Sequence, residues 1–226
     1  MSRPAYHAFL TNLAPALVPC APYRDYYPVP IGDGVQLNLP IEPLPGTEEA
    51  IVLLMSNQTP FVVEQALSSR LAALAVPFAP QVIVGVPTMG LDYARQVASL
   101  LAFPHYVAFG NSRKFWYDDA LSVPISSITS PGAKKRLYLD PSLLDRVRGQ
   151  RALIVDDVVA TGGSASAAIT LLNLAGALVV GLVAPFVEGT DWKALLRGIE
   201  PTWPERVRTI APIPRLHRCD GGWTEA

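Results

Sequence analysis

The chain has 226 residues, of which 50% are hydrophobic and 16% are charged, and its formal net charge at pH 7 is −1. This length and apolar content are enough for one domain with a substantial core, so we treat residues 1–226 as a single domain. The near-neutral charge gives no electrostatic reason to expect binding to nucleic acid or to a membrane surface, and no apolar run approaches the ~20 residues of a membrane span.

The cysteines and histidines indicate neither a disulfide framework nor a metal centre. Cys20 and Cys219 lie near opposite ends of the chain, and we favour reduced thiols over a single bridge across the termini. A cytoplasmic protein is therefore expected. His7, His105 and His217 have no zinc-ligand spacing with cysteines or acids, so no structural metal is predicted.

The N-terminal segment, about residues 1–60, is rich in proline and differs from the rest of the chain. Residues 5–17 suit a short helix. Residues 27–31 and 35–41 flank a Gly-Asp-Gly turn and predict a hairpin, and residues 49–55 suit a further strand.

From Thr59 onward, predicted helices and strands alternate. Thr59-Pro60 is expected to start a helix, with the threonine as N-cap and the proline at the first position. Further helices are predicted at residues 91–101, 141–148 and 167–175, and strands at 81–86, 106–109, 136–139, 152–155, 177–183 and 208–210. This alternation is typical of an α/β fold, with a mainly parallel twisted sheet, right-handed crossovers and flanking helices.

The most informative segment is residues 152–166, ALIVDDVVATGGSAS. Its apolar start predicts a strand buried on both faces, and its acids and glycines fall where that strand passes into a helix. Ligands bind at such points in open α/β sheets. Gly162 and Gly163 let backbone amides close on an anion, and the helix N-terminus adds positive charge.

Two adjacent acids do not suit a phosphate cradle, because like charges repel. The carboxylates of Asp156 and Asp157 instead suit the vicinal hydroxyls of a sugar, since ionised carboxylates accept hydrogen bonds. Acids beside a phosphate cradle therefore indicate a sugar-phosphate site. The alternative is a tight turn whose acids face solvent.

Residues 155–164, VDDVVATGGS, resemble the phosphoribosyl-pyrophosphate motif of type I phosphoribosyltransferases. The resemblance implies that the acids hold the ribose hydroxyls and that the TGGS turn holds the 5-phosphate. It extends to Asp156, Asp157, Ala160, Thr161, Gly162, Gly163 and Ser164. It also implies the type I phosphoribosyltransferase fold, with a small hood subdomain built from about residues 1–60 and 186–226.

A second glycine-containing loop, VGVPTMGL at residues 84–91, also follows a predicted strand. The matching loop of the family binds pyrophosphate, which makes Thr88, Met89 and Gly90 candidate substrate-binding residues. An ordinary strand–helix connection is the alternative. The order of the two loops along the chain is that of the family.

Residues 111–139 are expected to form a long lid with basic residues at both ends. Arg113 and Lys114 resemble the arginine-lysine pair of the adenine and xanthine branch of the family, where such groups neutralise the leaving pyrophosphate. A solvated basic loop is the alternative. The glutamate that adenine enzymes carry late in this loop has no match in residues 135–140, KRLYLD, which puts adenine itself in doubt.

The base-binding end is less specific in sequence. Phe186 follows the last predicted parallel strand and resembles the aromatic residue that stacks on a purine in the family, although a core aromatic is equally compatible. Trp192, Trp203 and Trp223 are expected to pack in a small C-terminal unit rather than line a pocket.

The resemblance implies transfer of a phosphoribosyl group to a nitrogenous base, with a purine favoured. Catalytic roles fall to Lys114, Asp156 and Asp157, and no general base is assigned. Mg²⁺ is expected as cofactor, bound mainly through substrate oxygens, and a homodimer is expected. The alternative is a non-catalytic protein that senses or binds phosphoribosyl pyrophosphate.

Overall fold

The structure is a computed structural model that describes residues 8–12, 20–125 and 135–226. In chain order, the strands are β1 (Phe9–Asn12), β2 (Tyr26–Gly32), β3 (Val35–Pro43), β4 (Glu49–Val52), β5 (Val82–Gly85), β6 (Val107–Ala108), β7 (Ser122–Ile125), β8 (Lys135–Tyr138), β9 (Arg151–Val155), β10 (Val158–Val159), β11 (Leu178–Glu188), β12 (Val207–Ile213), β13 (Arg215–Cys219) and β14 (Gly222–Glu225). The helices are α1 (Phe61–Ala75), α2 (Gly90–Leu100), α3 (Leu144–Val147), α4 (Gly163–Leu174) and α5 (Asp191–Arg197).

Six parallel strands form the central sheet, in the order β10-β11-β9-β5-β6 with β12 on β11. Strands β5 and β9 are almost continuously apolar and buried, as expected for strands covered by helices on both faces. One core cluster contains residues of α1, α2 and the antiparallel strands, and the other contains residues of α4 and α5. The predicted α/β class is confirmed.

Helix α1 has the predicted apolar spacing but a different start. Val63, Leu67 and Leu71 are fully buried. The prediction of a threonine cap was wrong: α1 begins at Phe61 without a side-chain cap, because the Thr59 hydroxyl donates instead to the carbonyl of Ser56 at 2.8 Å. The stretch Phe61–Phe78 is long and apolar enough to cross a membrane, but its buried residues belong to the central core.

The antiparallel strands β1–β4, β13 and β14 form a second sheet, which we call the hood. The predicted hairpin is present as β2 and β3. The predicted helix at residues 5–17 was wrong for residues 8–12, of which 9–12 pair with β3 as a strand, and residues 5–7 and 13–17 lie outside the described residues. The C-terminal hairpin of β13 and β14 was not predicted, and it joins the hood through β4.

The strand predicted at residues 136–139 is present as β8, which pairs antiparallel with β7 in a two-stranded sheet separate from the central one. Strand β11 is longer than the predicted 177–183 because its pairing with β12 continues to Glu188. Phe186 therefore lies within this strand and does not follow it. Cys20 and Cys219 are free thiols, as predicted.

Candidate active site

A pocket of about 490 Å³ lies at the carboxyl edge of the parallel sheet, beneath the hood. Successive strands deliver their following loops to the same edge, so residues distant in sequence meet there. The pocket is lined by residues 51–55 of the hood, 87–89 after β5, Asn111 after β6, Ile125, Lys135 and Leu137 of the β7–β8 hairpin, 156–165 after β9, and Glu188 at the end of β11. Both predicted substrate-binding loops therefore line one cavity.

The two acids that follow β9 are shielded from solvent, with Asp156 buried and Asp157 partly buried. Asp156 is 4% exposed, and its Oδ1 accepts a hydrogen bond of 3.0 Å from the backbone amide of Asp157. Burial raises the pKa of Asp156 well above its usual value, and the neighbouring charge of Asp157 raises it further. Burial also raises the pKa of Asp157. Neither acid pairs with a basic side chain among the described residues, so both can accept hydrogen bonds from a ligand.

The TGGS turn places the N-terminus of α4 at the pocket. Gly162 has a φ of +83° and precedes the first residue of the helix, Gly163. A Cβ at Gly162 would lie 3.1 Å from the Cα of Trp192, so both the backbone conformation and the close packing of α5 require glycine. The hydroxyl of Thr161 accepts a hydrogen bond of 3.4 Å from the amide of Gly163. The remaining amides of this turn can bind a phosphate.

The loop after β5 contacts the acidic pair directly. Thr88 and Met89 line the pocket, and α2 begins at Gly90. A Cβ at Gly90 would lie 2.8 Å from the Cα of Asp156, so the predicted pyrophosphate loop can pack against Asp156 only with glycine at this position. The Pro87–Thr88 peptide bond is cis. Asn111 donates from Nδ2 to the Thr88 hydroxyl at 3.3 Å.

The basic pair at the start of the predicted lid lies outside the pocket in this structure. Arg113 forms an exposed ion pair with Asp119 at 2.9 Å, which raises the pKa of Arg113 and lowers that of Asp119. Lys114 Nζ lies 3.3 Å from the hydroxyl of Ser112. By contrast, Lys135 from the far end of the lid lines the pocket, whereas Lys134 lies outside the described residues.

Phe186 does not stack on anything in the pocket. Its side chain is fully buried in the core shared by α1, α2 and the hood, and it is not among the lining residues. The alternative interpretation as a core aromatic is therefore the correct one. Trp192 and Trp203 are also buried in the core, on the opposite face of the sheet, and Trp223 is buried in the hood.

Several lining residues were not predicted as site residues. The hood residues 51–55 and Asn111 carry no sequence motif. Glu188 carries a signal that was available: it is an acid that ends a buried apolar strand, much as Asp156 directly follows β9. Its strand was predicted to end too early for this signal to be used.

Comparison with known proteins agrees with this geometry. The family described as phosphoribosyl transferase domain matches residues 58–209. The orotate phosphoribosyltransferase of Listeria monocytogenes serotype 4b is 28% identical over 108 residues, covering 48% of this chain and 42% of that protein. The hypoxanthine/guanine phosphoribosyltransferase of Methanocella arvoryzae is 28% identical over 152 residues, covering 66% of this chain and 75% of that protein. The chain thus spans less than half the length of the orotate relative.

Solved structures share the fold at low sequence identity. The adenine phosphoribosyltransferase of Giardia lamblia, solved with 9-deazaadenine, has a TM-score of 0.55 at 16% identity and covers 67% of this chain and 80% of its own. That of Trypanosoma brucei, solved with AMP, pyrophosphate and ribose-5-phosphate, has a TM-score of 0.52 at 15% identity and covers 64% of each chain. With the family match extending over residues 58–209 and the same fold in these structures, the chain belongs to the type I phosphoribosyltransferase family.

Proposed function

We propose that this protein transfers the 5-phosphoribosyl group of phosphoribosyl pyrophosphate to a purine base and releases pyrophosphate. One observation carries the proposal: the acids Asp156 and Asp157, the TGGS turn and the Thr88–Met89 loop line a single pocket. The substrate has a phosphate at one end and a pyrophosphate at the other. An acidic pair for its hydroxyls between two anion-binding loops matches that charge pattern.

In the proposed reaction, the bond between C1 of the ribose and the pyrophosphate oxygen breaks, and its electron pair leaves with pyrophosphate. A ring nitrogen of the base donates a lone pair to form the new C1–N bond, and its proton passes to water, since no general base is assigned. Glycosyl transfer of this kind passes through a ribose with cationic character. Catalysis then consists of holding both ends of the substrate and stabilising the leaving group.

The site residues take the following proposed roles. Asp156 and Asp157 bind the ribose hydroxyls, and their negative charge stabilises the positive charge that develops on the ribose. Ala160 and the turn Thr161-Gly162-Gly163-Ser164 hold the 5-phosphate, and the amides of Thr88, Met89 and Gly90 hold pyrophosphate. Lys114 and Arg113 reach pyrophosphate only if residues 113–114 move, because these side chains now contact Ser112 and Asp119. Lys135 already lines the pocket and can act without that motion.

Mg²⁺ fits this site as part of the substrate complex. The donors available are carboxylate oxygens, which suit a hard cation that keeps several water or phosphate ligands. The described residues contain no group of three or more His, Cys, Asp or Glu side chains that could hold a metal ion. When bound, Mg²⁺ would neutralise pyrophosphate charge, with Asp156 and Asp157 nearby as the acidic side chains that follow β9.

A purine is proposed because one wall of the pocket is apolar. Residues 51–55, IVLLM, supply that wall from the hood, and a flat base gains from such contact. A pyrimidine is the second candidate, since the relatives include orotate phosphoribosyltransferases. The homodimer remains a prediction from the family resemblance, and the cytoplasmic location remains a prediction from the cysteine content.

The test is a coupled assay of pyrophosphate release from phosphoribosyl pyrophosphate, with a panel of purines and pyrimidines, with and without Mg²⁺. We expect release that depends on a purine and exceeds the release measured without base. Binding of ribose 5-phosphate, measured by calorimetry, is the companion measurement. Tight binding of ribose 5-phosphate without turnover of any base would favour the alternative function, a non-catalytic protein that senses or binds phosphoribosyl pyrophosphate.

A further inference from the structure

Glu188 is a buried carboxylate on the pocket wall to which the proposed reaction gives no role. It ends β11, lines the pocket and is only 6% exposed. Phe186, two positions earlier, packs in the core on the hood side of the sheet. Because side chains two residues apart in a strand share a face, Glu188 also lies on the hood side.

One oxygen of this carboxylate is already occupied. Arg215 Nε donates to Oε1 of Glu188 at 2.8 Å, and Nη2 of the same guanidinium lies 3.8 Å from Oδ2 of Asp191. The pairing follows from the topology, since Glu188 is aligned with Ile213 in β12 and only Pro214 separates β12 from β13. In the part of the chain that the structure describes, no donor reaches Oε2. The pocket wall therefore offers Oε2 of Glu188 as a hydrogen-bond acceptor.

This acceptor lies between the ribose acids and the hood. Strand β10, which starts directly after Asp157, pairs with β11 through Val158 and Phe186. Arg215 in turn is aligned with Ile51, a residue of the apolar hood wall. Glu188 thus belongs to the part of the pocket lining that connects the strand after Asp157 with the hood wall.

From this geometry we infer that Oε2 of Glu188 accepts a hydrogen bond from an exocyclic amino group of the base, so that the pocket prefers amino-substituted to oxo-substituted bases. The inference rests on the proposed function and names its substrate class. An ionised carboxylate only accepts hydrogen bonds, so an oxo group in the same place leaves two acceptors facing each other. A carboxylated base such as orotate would bring two like charges together.

The Glu188→Gln variant converts the acceptor into a donor. Arg215 has only donors, so the glutamine must turn its carbonyl oxygen toward Arg215. Its amino group then occupies the position of Oε2 and faces the pocket. The preference for amino over oxo groups should therefore reverse rather than merely weaken.

The test compares dissociation constants of 5′-mononucleotides that differ in one group, measured by calorimetry on the full chain. AMP against IMP reports the 6-position of the purine, and GMP against XMP reports the 2-position. Ribose 5-phosphate, which has no base, is the reference for the sugar-phosphate site. Glu200→Gln is the matched control, because it removes a carboxylate from another Arg–Glu ion pair, with Arg206, and Glu200 does not line the pocket.

We expect the wild type to favour the amino nucleotide in at least one pair by about tenfold, the usual scale for an unsatisfied polar group. Glu188→Gln should reverse that pair and leave ribose 5-phosphate affinity unchanged, while Glu200→Gln should change neither. An unchanged ratio in both pairs, with ribose 5-phosphate still bound, overturns the inference and leaves the proposed function intact. If the wild type does not bind ribose 5-phosphate, both the inference and the proposed function are overturned. If the variant does not fold, a wild-type preference for the oxo nucleotide in both pairs overturns the inference alone.

Discussion

The hydroxyl of Ser56 lies 2.8 Å from the backbone carbonyl oxygen of Met89, and this contact ties the hood to the proposed pyrophosphate loop. Ser56 is 4% exposed and follows the hood wall of residues 51–55. Its Oγ is also 3.1 Å from Oδ2 of Asp92 in the first turn of α2. Since a hydroxyl has one hydrogen to donate, Met89 and Asp92 share it as acceptors. The hood wall and the loop after β5 are thereby connected through one buried side chain.

Replacing this serine tests that connection. Ser56→Ala leaves a buried carbonyl without its donor, so we expect the free energy of unfolding to fall by about 1–3 kcal/mol. The affinity for pyrophosphate should fall as well, while that for ribose 5-phosphate should hold. Ser69→Ala is the control, because the Ser69 hydroxyl donates to the carbonyl of Gln65 on the exposed face of α1. Equal pyrophosphate affinity in both variants would contradict a positioning role for Ser56.

The phosphate turn makes a prediction with an unusually close control. Gly162→Ala meets a left-handed φ of +83° and places its Cβ 3.1 Å from the Cα of Trp192. Gly149→Ala meets a similar φ of +72° with no atom within 4 Å. The conformational cost alone is about 1–2 kcal/mol, so Gly149→Ala should lose that much stability and bind ribose 5-phosphate normally. Gly162→Ala should lose more stability and also weaken ribose 5-phosphate binding, by about tenfold if one phosphate contact is lost.

Asp157 tests the ribose site separately from the fold. Asp157→Asn keeps the shape of the side chain but removes a charge from a pair of buried acids whose pKa values are both raised by burial. We expect ribose 5-phosphate affinity to fall by about tenfold, because a charged acceptor is replaced by a neutral one. The melting temperature should not fall, since the remaining carboxyl no longer faces a like charge. Unchanged affinity, measured by calorimetry, would remove Asp157 from the site.

The part of the site that sequence could predict is the part made by local backbone chemistry. The turn at Gly162 needs a positive φ, and Asp156 and Asp157 follow a buried strand. The relative placement of the acids and the turn is therefore determined by a few neighbouring residues. The loop at Thr88–Gly90 follows the same rule after β5. These loops meet because parallel strands end at one edge, and a prediction of the α/β class was sufficient for that.

The hood and the base end depend on pairings that no local pattern encodes. Residues 9–12 form a strand because β3 is available as a partner, whereas their own sequence suited a helix. Phe186 is buried because β12 extends β11 by several residues, and that pairing joins distant segments. The ion pair of Glu188 and Arg215 also joins distant segments, so a local sequence pattern could not predict it. Such contacts are decided by tertiary packing.

The buried acids also predict how ligand binding depends on pH. Burial raises the pKa of Asp156 in the folded protein, so its protonated form is favoured there, and the stability it contributes is lost as pH rises from the ordinary carboxyl range through the raised pKa. Ribose hydroxyls bind an ionised carboxylate more strongly than a neutral one, so ribose 5-phosphate affinity should fall on acidification, beginning above the pH at which an exposed aspartate titrates. Affinity should be measured from pH 8 to about 5 for both the wild type and Asp156→Asn. The ligand phosphate itself titrates near pH ~6, and the comparison removes this contribution because it is common to the two proteins. As pH falls, the wild type should lose ribose 5-phosphate affinity more steeply than the variant. Over the same range, the free energy of unfolding of the wild type should increase relative to that of the variant. Parallel affinity profiles would mean that Asp156 does not contact the ligand in its ionised form.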